Sequence, residues 1–482
     1  MIVHKFGGTS VGDAPRFASV ADILTGSPGP KAVVISAMSG VTDQLIKGAR
    51  AAAEGRDSDY RQVKAGLMSR HLEVVEKLLE RADERLEAGG LIEDQLHDLE
   101  RLYRSIAVLG EVTQRGYDAV ASTGEQLSAS LLAAALRERS QRAQAVNAAS
   151  LIVTDSSFGA AHPLPELTRQ RLLERLKPLV EQGVLPVITG YIAANQAGVT
   201  TTLGRGGSDY SAAIIAAGLD ADELWIWSDV DGILTADPNI VPKARTLAQL
   251  SYEEAAELAY YGAEVLHPKT IRPIVTAGIP LRLLNSFNPS HPGTTIVKST
   301  GDERQVLPAI ISTTGLAMIA LGSADDRWNP QSAARAIRCL SEAGLEVPMF
   351  SQSFSEHSLN LVVRQRDQNH CLKLLCHEFG SDISPNCVDG VSAANSQITQ
   401  DGLRLETREK VATVSVVGVP NWNETGIVAH AFAALGKAGT RVIAVAQAAT
   451  EYSASFCIPE DQVEATVRTL HRELGLEDAE RV

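Results

Sequence analysis

The sequence is short of the features that would place it in several broad classes. Five cysteines occur in 482 residues, Cys339, Cys371, Cys376, Cys387 and Cys457, with no Cys-x-x-Cys pair and no matching His cluster. That scarcity argues against a disulfide framework or a zinc module and for free thiols in a reducing compartment. Apolar runs such as 212–219 are short and alanine-rich, far below the ~20 residues needed to cross a bilayer. No membrane association is expected. His4 and Lys5 stand where a secretory signal would carry its apolar core, so a cytoplasmic location is expected. An excess of basic charge is also missing: 44 Lys and Arg face 58 Asp and Glu, for a net charge of −14. Broad contact with nucleic acid or anionic lipid is thereby disfavoured, and any phosphate site must be local. No Gly-X-Y or low-complexity tract occurs. A G-x-x-x-x-G-K-[ST] loop is absent, and Gly204-Arg-Gly-Gly-Ser-Asp209 fails the dinucleotide fingerprint at its final glycine. Nucleotide binding, if present, uses another scaffold.

What remains is an ordinary globular composition, 44% hydrophobic, long enough for two to four domains. Up to about residue 297, buried-strand patterns at 1–6, 32–36, 184–189, 224–228 and 279–284 alternate with helical patterns, as in a mainly parallel sheet covered by helices. Residues 58–112 instead carry apolar positions near a 3.6 period, including Leu67, Val74, Leu78, Leu96, Leu99, Leu102 and Ile106. They are expected to form a pair or trio of amphipathic helices broken near Gly89-Gly90. The Pro/Gly/Ser-rich stretch Asn285 to Gly293 precedes an expected linker at 298–308. Beyond it the chain repeats itself: residues 333–363 match 428–458 at an offset of 95, with nine of 31 positions identical. Chance predicts about two. Each copy reads as strand, helix, strand, strand, helix, with the first-copy elements at 316–321, 333–343, 345–351 and 358–364 before the final helix.

Four segments have the residue types of a phosphate and carboxylate site. Lys5-Phe-Gly-Gly-Thr-Ser-Val11 is a strand ending in a glycine turn and a helix start, where Gly7 and Gly8 admit close backbone approach and Lys5 adds positive charge. Its bland alternative is a tight turn without ligand. Ser36-Ala-Met-Ser-Gly-Val-Thr-Asp43 delivers hydroxyls to a second such turn, with helix capping as the alternative for Thr42 or Asp43. Ser122-Thr-Gly-Glu-Gln-Leu-Ser128 places Glu125 at a turn just before an apolar helix at 127–136, to bind an ammonium or simply to complement the helix dipole. Thr200-Thr-Thr-Leu-Gly-Arg-Gly-Gly-Ser-Asp209 is a polar loop entering a helix at 210–219, in which Arg205 can grip a carboxylate and Ser208 and Asp209 can cap or bind. Downstream, Ser228-Asp229-Val-Asp231-Gly and Ala236-Asp-Pro238 follow a buried strand, where ligands of open α/β sheets gather.

In this order, and with Tyr261-Gly-Ala-Glu-Val-Leu-His-Pro-Lys269, these segments resemble the aspartate kinases of the amino-acid kinase family. The carboxy-terminal repeat is similar to their paired ACT domains. The resemblance implies an α/β fold: a three-layer αβα kinase domain at 1–297, with 58–112 a helical segment within it. Ferredoxin-like βαββα (ACT) units would follow at 308–390 and 405–482, with interleaving of the two left open. It implies phosphorylation of the L-aspartate side chain by ATP with Mg²⁺, through Lys5 and Asp209 as catalytic residues and with no dedicated protein cage for the metal. Ser36, Thr42, Glu125, Arg205 and Ser208 would hold aspartate; Lys5, Gly7, Gly8, Ser228, Asp229, Leu234 and Lys269 would line the nucleotide site. Gln352, Ser353 and Glu356 would contact an amino-acid effector, and self-association into a homodimer or larger homo-oligomer is expected. Which end product the pathway serves is left open.

The chain departs from the family where Leu234, Asn239 and Glu264 replace a frequent tyrosine, arginine and lysine. Altered nucleotide contacts are expected there. Trp328 and Trp422 stand in the effector turns and are expected either to reshape the effector pockets or to pack at a dimer seam. Two rival readings are a catalytically idle amino-acid sensor and a kinase for glutamate or N-acetylglutamate. The joint presence of Lys5, Glu125, Arg205 and Asp209 opposes the first, and Glu125 with the paired repeat opposes the second.

Overall fold

Short β-branched runs supply the centre of the first sheet because both of their faces are covered. In the computed structural model, which describes residues 1–260, 268–298, 308–323, 330–353, 358–379, 397–398, 403–418, 426–447 and 453–477, two compact units separate. The first comprises Met1–Ile233, Thr246–Ala256 and Glu264–Gly301; the second comprises Leu234–Arg245, Glu257–Ala263 and Asp302–Val482. Among the described residues, no helix is long and apolar enough to cross a membrane.

The strands of the first unit are β1 (Ile2–Phe6), β2 (Lys31–Ile35), β3 (Ala143–Val146), β4 (Val153–Thr154), β5 (Leu185–Thr189), β6 (Ile192–Asn195), β7 (Thr200–Thr202), β8 (Glu223–Ser228), β9 (Gln249–Ser251), β10 (Leu281–Asn285) and β11 (Thr294–Val297). Eight form one sheet in the order β3-β5-β2-β1-β8-β10-β11-β9, and β4-β6-β7 form a smaller one. Only the β10–β11 pairing of the large sheet is antiparallel. Register is the functional point. Phe6 lies opposite both Ile35 and Trp227, Ile35 opposite Thr189, and Ser228 opposite Asn285, so five strands end at one rim.

Helices α1 (Ala14–Gly26), α2 (Val41–Ala53), α3 (Asp57–Leu78), α4 (Ala82–Leu109), α5 (Gln114–Ala121) and α6 (Thr123–Glu138) follow β1 and β2. The expected break at Gly89-Gly90 is not there, since α4 runs through both glycines. Each glycine costs about 1 kcal/mol in a helix interior, but Ala88, Ile92, Leu96, Leu99 and Tyr103 are fully buried on one face and outweigh that cost. The chain breaks instead at Leu79 to Arg81, where Leu79 is extended and the Arg81 N–H donates to Glu138. The apolar helix expected at 127–136 extends four residues earlier, and α5 and α6 meet at a single shared residue, Ser122.

In the second unit, β12 (Ala309–Ser323), β13 (Met349–Ser353), β14 (Ser358–Arg364), β15 (Gln397–Ile398), β16 (Leu403–Val417), β17 (Ala444–Gln447) and β18 (Ser453–Pro459) form one antiparallel sheet, ordered β13-β14-β12-β16-β18-β17 with β15 on β16. The helices Pro330–Glu342 and Gln368–Glu378 of the first repeat correspond, within one residue of the 95-residue offset, to Gly426–Ala438 and Val463–Glu473 of the second. The third element of the first repeat, expected at 345–351, forms later, as β13. Each repeat buries its own apolar cluster, one around Leu340, Leu361 and Leu375, the other around Val414, Phe456 and Leu470.

Candidate active site

The loops after β1, β2 and β5, those after β4 and β7 of the smaller sheet, and the first turn of α6 line a cavity of about 570 Å³, with Lys5, Gly8, Ser36, Thr42, Glu125, Arg205, Ser208 and Asp209 in its walls together with Ser39, Gly159 and Tyr191. All seven residues read from the sequence as catalytic or aspartate-binding are therefore brought together. Lys5 points out of the last turn of β1, is only 8% exposed, and places Nζ 2.5 Å from Asp209 Oδ1. Asp209 stands in the first turn of helix α9 (Gly207–Gly218; α7, Pro165–Arg171, and α8, Lys177–Glu181, precede it). That helix begins three residues before the expected 210, because Gly206 takes the left-handed conformation (φ 69°) and turns the chain into it. Its free N–H groups open beside a buried lysine, an arrangement suited to anionic oxygens. Gly8 has a different reason to be glycine: a Cβ there would lie 2.8 Å from the Ala37 carbonyl, so the two rim turns could not approach as they do.

Glu125 occupies the first turn of α6 rather than a preceding loop, and is 4% exposed. Burial pushes its carboxyl up to about 8, offset only in part by backbone N–H groups of Ala37 and of Glu125 itself. Its Oε2 has no hydrogen-bond partner. A buried acid without a counter-charge, facing a cavity, is poised for a cationic group. Arg205, by contrast, is exposed on the facing loop. The cavity thus carries a carboxylate on one wall and a guanidinium on another, beside the Lys5–Asp209 pair.

The remaining nucleotide candidates are not part of this lining. A Cβ on Gly7 would come within 3.5 Å of Lys5 Nζ, which places that turn against the lysine. Ser228 and Asp229 stand at the end of β8, where the Ser228 hydroxyl accepts from the Val230 N–H and Asp229 is exposed. Next to them Asp231 Oδ1 accepts from the amides of Asn285 and Asn288. Lys269 lies in the first turn of helix Pro268–Ala277, which packs against α9. Leu234 and Asn239 belong to the segment Leu234–Arg245, which is part of the second unit. There Asn239 bonds Asp237 in a tight turn, Ala236 and Val241 join the apolar cluster around Phe456, and the Thr235 hydroxyl bonds His471. Gln352 and Ser353 lie on β13. Glu264, Trp328, Glu356 and Trp422 lie outside the described residues.

Three cavity features escaped the sequence reading: Tyr191, the turn at Gly159, and a buried Asp118 behind them. Tyr191 carried a usable signal, since it lies two residues after the strand ending at Thr189, at the same rim. Asp118 carried none. It is one acidic residue on a helix outside every motif.

The described family models agree with this architecture. That of the amino acid kinase family matches residues 1–285, and that of the ACT domain matches residues 319–379 and 414–474. Aspartokinase 1, chloroplastic, of Arabidopsis thaliana is 32% identical over 475 residues, covering 98% of this chain and 79% of that protein. The bifunctional aspartokinase/homoserine dehydrogenase 1, chloroplastic, of the same plant is 31% identical over 478 residues, covering 97% of this chain and 50% of that protein. The chain therefore spans about half the length of the bifunctional relatives it matches. Among solved structures, E. coli aspartokinase III in complex with aspartate and ADP superposes with a TM-score of 0.78 at 28% identity, over 98% of this chain and 100% of that one. Matched in both its kinase sheet and its repeated sheet, the chain belongs to the amino acid kinase family, among the aspartokinases that carry ACT domains.

Proposed function

We propose that this chain transfers the γ-phosphoryl group of ATP to the side-chain carboxylate of L-aspartate, giving 4-phospho-L-aspartate and ADP. The observation that carries the proposal is the shared cavity lined by the Lys5–Asp209 pair, by a buried Glu125 whose Oε2 has no hydrogen-bond partner, and by Arg205. Glu125 receives the α-ammonium and Arg205 the α-carboxylate, while Ser36, Thr42 and Ser208 offer hydroxyls between them. The free carboxylate of aspartate then lies toward Lys5. One of its oxygens attacks the γ-phosphorus, the bond to the β–γ bridging oxygen breaks, and ADP leaves with that electron pair. No proton moves, because the acceptor is already an anion, so no general base is needed. Lys5 offsets the charge on the transferring group, and Asp209 holds the lysine in place.

ATP enters along the glycine turns at Gly7 and Gly8, with Ser228, Asp229 and Lys269 as its further contacts. Magnesium neutralises phosphate charge when bound. The ion is read as carried chiefly by phosphate and water oxygens. An amino-acid effector is assigned to the repeated unit around Gln352, Ser353 and Glu356, a reading supported by a solved E. coli aspartokinase III complex with lysine and aspartate. Homo-oligomerisation through that unit and a cytoplasmic location complete the proposal.

The test is hydroxylamine trapping of the acyl phosphate with ATP, Mg²⁺ and L-aspartate, against glutamate and no-acceptor controls. Aspartate-dependent hydroxamate is expected. Folded protein that binds aspartate yet yields none would favour the idle sensor, and hydroxamate with glutamate alone would reassign the acceptor.

A further inference from the structure

The two groups that hold the ends of the amino acid in the proposed function stand on separate pieces of the chain. Glu125 follows α5 directly, on α6. Arg205 follows β7, whose Thr202 carbonyl accepts from the Ala161 N–H of the turn that contains Gly159. That turn also braces itself, since Asp155 Oδ1 accepts from the backbone N–H groups of Ser157 and His162. The turn and β7 therefore form one preassembled piece, and α5 with α6 forms another.

Asp118 joins them. It lies on α5, is 2% exposed, and sends its carboxylate across to the other piece. Oδ2 accepts the Gly159 N–H at 3.0 Å and the Thr202 N–H at 3.1 Å, while Oδ1 accepts the Thr202 hydroxyl at 2.8 Å. The Thr202 side chain also faces the phenol of Tyr191, which lines the cavity. Burial pushes the Asp118 carboxyl up, and these three donors offset that in part; hydrogen bonds to an ionised carboxylate are stronger than neutral ones. A neutral residue of the same shape would keep the packing but weaken all three.

We infer that Asp118 is a positioning residue for the amino-acid substrate: it sets the separation between Glu125 and Arg205 by docking the Gly159 turn and β7 onto α5. The inference rests on the proposed aspartate kinase activity. Its direct consequence is selective. The aspartate end of the cavity depends on Asp118, whereas the Gly7-Gly8 turn, which hangs from β1, does not.

The test compares Asp118→Asn and Thr202→Val with wild type in steady-state kinetics, melting temperature and amide hydrogen exchange of the full chain. Asp118→Asn is expected to raise the KM for aspartate about tenfold, to leave the KM for ATP within about twofold, and to lower the aspartate-over-glutamate preference. Thr202→Val, which removes only the hydroxyl bond, is expected to shift the same quantities less. An unchanged aspartate KM in both variants overturns the inference, as does an equal rise in both KM values with a lowered melting temperature, which marks a merely structural role. If wild type itself turns over no aspartate, the activity fails and exchange decides Asp118: faster exchange at the Gly159 and Thr202 amides in Asp118→Asn supports the docking role, and unchanged exchange overturns it.

Discussion

The two sheets use their strand ends in opposite ways. In the first, parallel neighbours in matched register bring the carboxyl ends of β5, β2, β1, β8 and β10 to one rim. In the second, antiparallel neighbours alternate their ends, and the repeats close over two apolar clusters and a third that they share through Leu316, Val362, Val411 and Cys457. A parallel sheet thus concentrates loops: the turns after β1, β2 and β5 meet at one cavity, where Lys5 pairs with Asp209, which follows β7 of the smaller sheet.

If the rim holds the chemistry, the largest effect should come from Lys5→Ala. Turnover is expected to fall about 10²–10³-fold with aspartate affinity within a few-fold, read by hydroxamate formation and calorimetry. A loss of less than about tenfold would break the contrast between the sheets. The converse substitution is Leu470→Ala, at a fully buried position of the second repeat. It should cost about 2–5 kcal/mol of unfolding free energy in urea, while the KM for aspartate stays near wild type. A large rise in that KM would mean that the second sheet does more than support itself.

A pH titration sharpens the picture of the rim. With the Glu125 carboxyl pushed up to about 8 by burial, the free protein holds it protonated at pH 7, whereas an ammonium ligand prefers the carboxylate. Binding should release a proton, and aspartate affinity should rise up to about tenfold per pH unit towards pH 8 and then level. Calorimetry in buffers of different ionisation enthalpy reads that proton. The stability sign is opposite. Between about 4.5 and about 8 the folded state holds a proton that the unfolded chain has lost, so this group's contribution to stability falls as pH rises. Glu125→Gln should therefore melt higher than wild type at pH 8.5 and bind aspartate poorly; equal melting temperatures would contradict the buried, uncompensated acid. The smallest effect is expected at Gly90, exposed on α4 with open space where a Cβ would stand. Gly90→Ala should gain up to about 1 kcal/mol, seen as a raised melting temperature with kinetics unchanged.

Gly90 also marks where local reading failed. A glycine pair is a fair signal for a helix break, yet the burial of Ile92, Leu96 and Tyr103 overrode it. Glu125 was legible as a residue but not as an environment. Its position beside a helix start followed from Ser122-Thr-Gly-Glu125, whereas its raised carboxyl depends on packing supplied by distant segments. The segment after Asp231 is the clearest case. Read as part of the first domain and lying within the stretch that the amino acid kinase family model matches, Leu234–Arg245 packs within the second compact unit, where Ala236, Val241 and Thr235 find their partners.

Residue chemistry, strand and helix periodicity, and the 95-residue repeat are properties of the chain read along its length, and they were enough to name the family resemblance and eight of the cavity residues. Which of those residues face one another follows from sheet register. Asp118 shows the difference most plainly: alone on its helix it is any acidic residue, and it acquires a meaning only when Gly159 and Thr202, brought from 41 and 84 positions away, present their N–H groups to it. Hydrogen bonds between distant segments have no local periodicity, so only the folded chain could reveal them.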